Sequence, residues 1–436
     1  MRKLFGALII TLFLFSQESF ASREVVFSGN ARIQQTLTGY NFLHGAASGF
    51  NIDGNRFRQF IPRNAVLSKF KVELSAAPGL GKSIAFTVRA GGIDTLMTCT
   101  VADLNLSCSY DPPIEIGVGQ VLLVKEVPSG IPALVNARYS VVLTTPSNRE
   151  LILTGGKAIT IITTPVQAYI PPHGGTATEI TSEFLARATM PFSGRVTELH
   201  VNFPQGSGDR PTTFTTYLKG SVTSQTCTAI ENVGTCSDTN SDHAVSFKKG
   251  ETISVYNSGV FIPQHSGVSL VVVPDEKDTL LSALSGSSKV SGTANRYQYF
   301  STGSAVWNVT ESNVPTLAQT GMLSKPAKIL SMYVQADAIP SGGSYAITLR
   351  RNQTSTPFSC TISSMSMNPE CEVWGALTIQ DGDEYDIQVI PVGMVQIPPE
   401  PRGDGGDEFV EAAPSPIYIN AGFKLNLKQR RNAIIN

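Results

Sequence analysis

Six cysteines are the residues of this chain whose type and spacing could do chemistry. They fall into three pairs, Cys99/Cys108, Cys227/Cys236 and Cys360/Cys371. A cysteine pair can hold zinc, cycle between dithiol and disulfide, or staple a fold. Zinc and dithiol redox sites favour the C-x-x-C spacing, and none occurs here. The N-terminus favours the staple. MRKLFGALIITLFLFSQESFA has Arg2 and Lys3, an apolar run from Leu4 to Phe15, and a small-residue exit at Ser19-Phe20-Ala21. That pattern predicts a secretory signal peptide over residues 1–21, and hence an oxidising compartment where even cysteine counts form disulfides. The expected location is outside the cytoplasm, secreted, periplasmic or on the cell surface. No stretch is long and apolar enough to predict a membrane span.

Other chemical groups carry weaker patterns. The histidines, His44, His173, His200, His243 and His265, show no HExxH or HxH spacing and no recurrence between copies. No G-x-S-x-G occurs. PGLGKS, from Pro78, lacks the first glycine of a phosphate-binding loop and reads as a turn between strands. The loop SDTNSDH, from Ser237, gathers oxygen ligands of the kind Ca²⁺ takes but does not follow an EF-hand spacing. Arg402, Gly403 and Asp404 form an RGD tripeptide inside a polar insert, residues 398–412, and are candidate binding residues. Trp374 is a candidate sugar-stacking residue, with burial in the core as the favoured reading. We therefore expect no catalytic residues, metal ligands or cofactor. A formal net charge of −1 gives no argument for nucleic acid.

The cysteines also mark a repeat. Their first members recur at roughly 130 residues, a period of whole domains rather than of a solenoid. Before each pair stand an apolar strand (LSKFKVELSA, GRVTELHVNF, KILSMYVQADA), a Pro/Gly loop and a second strand (IAFTVR, TTFTTYL, YAITLR). The first cysteines lie in MTCTV, QTCTA and FSCTI. After each pair come a Gly-polar turn into an alternating strand (VGQVLLVKEV, KGETISVYNS, DGDEYDIQVI), a proline-containing loop and a closing strand. Apolar residues alternate with Thr, Ser and charges, the period of half-buried strands. Charged residues are only 15% of the chain, and helix signals are almost absent. The fold class is all-β, with three tandem β-sandwich domains over residues 22–148, 149–280 and 281–436.

The second copy resembles a C1q/tumour-necrosis-factor-type head. FTTYLKGSVTSQTC, KKGETISVYNSG and HSGVSLVVVPD are similar to that family's strand–turn–strand, its Gly-acidic strand and its closing SG-x-L strand. The resemblance implies jelly-roll domains and, because such heads associate as compact trimers, three fused copies closed as an intramolecular pseudo-trimer. The segments between copies, such as LILTGGKAITII, alternate like docked strands and leave little slack. Independent monomeric beads on a string are the alternative. The expected function is a non-enzymatic extracellular recognition, adhesion or structural module with a protein or glycan ligand. The alternatives are a carbohydrate-binding lectin and a surface-layer or appendage subunit.

Overall fold

The computed structural model describes residues 23–46, 49–147, 149–158, 168–176, 180, 183–203, 211–229, 234–259, 265–276, 280–290, 296–299, 327–380, 383, 385–393 and 417–427. It is almost entirely β. The first unit runs β1 (Glu24–Arg32), β2 (Gly39–Asn41), β3 (Gly45–Ala46), β4 (Gln59–Phe60), β5 (Ala65–Leu74), β6 (Gly79–Ala90), β7 (Ile93–Asp103), β8 (Ser107–Tyr110), β9 (Ile114–Ile116), β10 (Val121–Ser129) and β11 (Asn136–Thr144). The second runs β12 (Leu151–Ala158), β13 (Ala168–Ile170), β14 (Gly174–Thr176), the single turn α1 (Glu183–Ala186), β15 (Ala188–Thr189), β16 (Gly194–Asn202), β17 (Thr212–Leu218), β18 (Ser221–Ala229), β19 (Thr235–Asp238), β20 (Val245–Phe247), β21 (Thr252–Gly259) and β22 (His265–Pro274). The third runs β23 (Leu280–Val290), β24 (Arg296–Tyr299), β25 (Ala327–Ala336), β26 (Ser344–Arg351), β27 (Thr354–Ser363), β28 (Glu370–Ile379), β29 (Tyr385–Val392) and β30 (Ile417–Leu427).

One strand order serves all three. The inner sheets run β1-β11-β5-β8, β12-β22-β16-β19 and β23-β30-β25-β28, with β9 and β20 also pairing β5 and β16, and β3 and β14 pairing β1 and β12. The outer sheets run β2-β10-β6-β7, β13-β21-β17-β18 and β24-β29-β26-β27. Each unit buries apolar residues between its two sheets, such as Phe70, Phe86 and Val124 in the first and Ile347, Phe358 and Phe423 in the third. Local irregularities repeat as well. The register of the inner sheet slips at Lys69, Thr197 and Leu330, one bulge at one place in each unit.

The disulfides form as the pairs in the sequence, Cys99–Cys108, Cys227–Cys236 and Cys360–Cys371. The two strands of each pair follow one another in the chain but are not neighbours in a sheet. Cys99 lies on β7 at the edge of the outer sheet and Cys108 on β8 at the edge of the inner one. The other pairs bridge β18 to β19 and β27 to β28 in the same way. Each bond therefore clamps the open side of a sandwich, where no ladder hydrogen bond joins the two sheets.

The units share strand ladders. β1 pairs in parallel with β23, at Val25–Leu281 and Val26–Ser282, and with β3. β3 pairs with β14, and β14 with β12. The first strands of all three units thus enter one sheet of 16 strands. The contacts between units follow a rule. β4 of the first packs on β12, β16 and β22 of the second, and β15 of the second packs on β23, β25 and β30 of the third. Strands β15, β12, β16 and β22 of the second unit correspond to β4, β1, β5 and β11 of the first. Val26 and Val142, on the outward face of β1 and β11, are buried in the core cluster of the third unit. The face that each unit offers to its predecessor is therefore the same. Arg63 with Glu198, and Lys249 with Glu372, add ion pairs across the first and second of these junctions.

Candidate functional site

A recurring position on each outer sheet is the best-built candidate. In the hairpins β6–β7, β17–β18 and β26–β27 the register shifts at the same point, between Thr87/Arg89, Thr215/Tyr217 and Thr348/Arg350. Bulges bend a strand and re-aim side chains. A threonine fixes each one. The hydroxyl of Thr95 donates to the Val88 carbonyl at 2.7 Å, that of Thr223 to Thr216 at 2.6 Å, and that of Thr356 to Leu349 at 2.7 Å. Beside each bulge a hydroxyl pair spans the strands: Thr87 with Thr98, Thr215 with Thr226, and Thr348 with Ser359.

The bulge presents one outward residue, Arg89, Tyr217 or Arg350. The ladder places two more beside it. Tyr40 lies opposite Lys125, Tyr169 opposite Tyr256, and Tyr297 opposite Gln388. Each unit thus rebuilds one three-residue position from a constant tyrosine and two variable partners. In the first unit the partners are Arg89 and Lys125, and Asp94 bridges both, at 2.7 and 2.5 Å. Arg89 also lies 5.4 Å from the Tyr40 ring centroid, and Gly54 packs on that ring: a Cβ there would meet it at 3.1–3.3 Å. The first position is filled by the protein itself.

The second position is built differently, from Tyr169, Tyr217 and Tyr256, all half-buried. Their ring centroids stand 5.1, 5.1 and 5.9 Å apart with interplanar angles of 43°, 51° and 85°. The rings form a corner rather than a flat stack. The backbone N–H of Tyr40 donates to Asn51, and that of Tyr169 to Ile180, so Glu183 takes the place that Gly54 has in the first unit. Glu183 accepts from Arg187 Nε at 2.7 Å and from Ser254 Oγ at 2.9 Å. Partial burial first, then the neighbouring phenols and the Glu183 carboxylate, push the Tyr169 hydroxyl above the usual phenol range. Burial, Tyr256 and Glu183 do the same for Tyr217. The Tyr169 and Tyr217 phenols are therefore neutral donors and acceptors at any physiological pH.

A polar seam also runs through the junction of the first two units. His44 and His173 lie 6.2 Å apart, ring to ring, and Phe27 stacks on His44 at 5.2 Å. Each precedes a glycine that enters the shared sheet, Gly45 or Gly174, and the Gly175 N–H donates to the His44 carbonyl at 2.7 Å. Two of the histidines do recur, contrary to the sequence reading: NFLHGA and IPPHGG align in two copies, and the same offset from the tyrosine in the third falls on Ser301-Thr302, outside the described residues. Burial lowers the His44 pKa to about 4, partly offset by its hydrogen bond to the Ser28 carbonyl. It is neutral and structural, with Gln59 bonding both its N–H and its C=O.

The residues singled out from sequence are not brought together. Arg402, Gly403 and Asp404 lie outside the described residues, as do the expected signal peptide, residues 1–21, and the 398–412 insert. Trp374 is not in the core. It is 60% exposed on β28, with the Lys249 ammonium 4.3 Å from its ring centroid. The strand pattern could not show this, because Trp374 faces the second unit rather than its own sandwich. In SDTNSDH, Asp238 accepts from Thr226 N–H and His243 Nδ1 through one oxygen and from Asn240 N–H through the other. Those partners absorb the charge that a cation would need. PGLGKS opens β6 with no helix after it. The tyrosine position was missed, although GYN, AYI and RYQ align once the copies are superposed.

No family model and no curated protein matches the chain. Among solved structures it is similar to the M60 catalytic domain with the CBM51-1 and CBM51-2 domains from Clostridium perfringens ZmpB, at 11% identity and TM-score 0.18, over 84% of this chain and 32% of that one. It is similar to PNGF-II at 10% identity and TM-score 0.15, over 50% of this chain and 59% of that one. It is also similar to the insecticidal delta-endotoxin Cry8Ea1 from Bacillus thuringiensis, at 9% identity and TM-score 0.18, over 64% and 52%. The chain spans less than two thirds of the length of each, and likenesses this low say nothing of its fold or its function.

Proposed function

We propose that the chain is an exported, non-enzymatic recognition module. Three jelly-roll domains, residues 22–148, 149–280 and 281–436, close as an intramolecular pseudo-trimer that turns its outer sheets to a ligand. One observation carries this reading: a single position, held by the same bulge and the same tyrosine, is rebuilt with different partners in each unit. A rigid sandwich that keeps a position and varies its chemistry is built for binding. The closed arrangement agrees with the resemblance to C1q/tumour-necrosis-factor heads and with the equivalent faces at successive junctions. The disulfides suit an oxidising compartment, and no helix among the described residues is long and apolar enough to cross a membrane. Among the described residues His200 pairs with Glu198 and His243 with Asp238, and neither bonds a hydroxyl or thiol nucleophile.

The test is a binding screen of the mature protein against immobilised polysaccharides and extracellular proteins, with turnover of each candidate followed in parallel. Saturable binding without turnover, weakened by outer-sheet substitutions, supports the proposal. Turnover of a bound polymer, or binding to none of them, overturns it. Concentration-dependent assembly in light scattering would instead identify a surface-layer or appendage subunit.

A further inference from the structure

We infer that the corner formed by Tyr169, Tyr217 and Tyr256, rimmed by Glu183 and Arg187, is a binding site for a neutral hexopyranose unit of a polysaccharide. The inference rests on the recognition reading above and names its ligand class. A pyranose ring has an apolar C–H face and a rim of hydroxyls, so its site needs aromatic surface beside polar groups held in place. The corner supplies both. Three half-buried rings packed at 5.1–5.9 Å and tilted 43–85° to one another form one continuous aromatic surface on whose exposed side the C–H face of a pyranose can lie. Glu183 is fixed at the rim by Arg187 and by the buried Ser254, so a hydroxyl accepting from the guanidinium and donating to the carboxylate meets groups already in position.

Comparison within the chain sharpens this. In the first unit Arg89, Lys125 and Asp94 fill the equivalent place and Gly54 lies on Tyr40. In the third unit Arg350 and Gln388 take the variable positions and are themselves buried. Among the three, the second position alone has two further aromatics. An aromatic corner with a carboxylate could also hold a quaternary ammonium ion. Here Arg187 already neutralises Glu183 and stands beside the rings, so a cation would meet a like charge. A neutral, hydroxyl-rich ligand meets no such conflict.

The experiment is affinity electrophoresis of the full mature chain in gels holding soluble β-glucan, xylan, galactomannan or amylose, followed by calorimetric titration with the hexasaccharide of whichever polymer retards it. We expect retardation by at least one. Tyr256→Ala should weaken hexasaccharide binding at least tenfold and Glu183→Gln three- to tenfold, while Tyr40→Ala leaves it unchanged. The double variant Tyr217→Arg/Tyr256→Lys puts the first unit's two basic residues at the same bulge. It should keep the thermal midpoint within a few degrees and lose retardation. Retardation by none of the four polymers overturns the inference, as does binding that survives the double variant, or saturable choline or polyproline binding lost with it. Ligand binding in the wider screen that survives the double variant leaves the recognition reading standing and removes only this site.

Discussion

One ladder position, opposite Phe86, Phe214 and Ile347, holds Glu126, Asn257 and Val389 in the three units. It points into each sandwich, where an apolar residue is the ordinary occupant. Glu126 is fully buried; it accepts from the Gln34 N–H through one oxygen, and the other has no partner among the described residues. Burial raises its pKa to about 8, against the smaller opposing effect of the Gln34 hydrogen bond. A carboxyl with a raised folded pKa binds its proton more tightly folded than unfolded. Its contribution to stability is therefore full below about pH 4.5 and is lost as pH rises through about 8. His44 works in the opposite sense: with its pKa lowered to about 4, it contributes stability that is lost as pH falls below 6.5. We expect Glu126→Gln to match the wild type near pH 4.5 and to exceed it at pH 9 by on the order of 1–3 kcal/mol, read from denaturant midpoints across that range. Asn257, whose amide has no partner at either atom among the described residues, makes a second case. Asn257→Val, which installs the third unit's residue, should stabilise by about 1–2 kcal/mol because it removes an unpaired buried amide. A lower thermal midpoint would show that the amide is satisfied in solution.

At the scale of elements, the sandwich edge is where covalent and polar devices concentrate. Each disulfide closes a short loop, which restricts the unfolded chain by about 2–3 kcal/mol in the chain-entropy picture, and here it also joins two sheets that share no ladder. Cys227→Ser/Cys236→Ser should therefore destabilise by about that amount and open the β18–β19 edge, seen as faster amide exchange at Thr226 and Asp238. Reduction confined to one pair with no change in exchange would deny the clamp. Much of this level was legible in the sequence. Alternation marked the strands, the Pro/Gly loops marked their ends, and the cysteine contexts marked the repeat. What was not legible was the sheet to which each strand belongs, because alternation separates inward from outward residues but does not distinguish two sheets facing one core. The disulfides thus read as joining chain neighbours, which they do, without revealing that the neighbours lie on opposite sheets. The bulge was partly legible: TLMTC, TSQTC and TPFSC share T-x-x-[ST]-C, and that threonine proves to be the bulge anchor. The tyrosine corner was not, since its members come from three strands far apart in the chain and become neighbours only through ladder register.

For the whole molecule, the outward face of β1 and β11 is the informative surface. Val26 and Val142 are apolar on the side that a free-standing sandwich would leave to water, and both are buried against the third unit. A fragment ending before β23 should expose that face. Residues 22–276 expressed alone are expected to bind a hydrophobic dye and self-associate, whereas the full chain does neither; a well-behaved monomeric fragment would mean that the junction contributes little. Gly45 tests the same junction from inside. Its φ is +137° and a Cβ there would run into the Gly175 backbone, so Gly45→Val should loosen the seam and split one unfolding transition into two. The parallel pairing of β1 with β23 bears on timing too. A ribosome makes β1 two whole units before it makes β23, and Arg23 just ahead of β1 donates to the Glu276 carbonyl at 2.7 Å. The earliest-made of the described strands is therefore among the last to find its final neighbour. Until the third unit emerges that strand's apolar flank has no cover, which makes this interval the stage at which a chaperone would matter most.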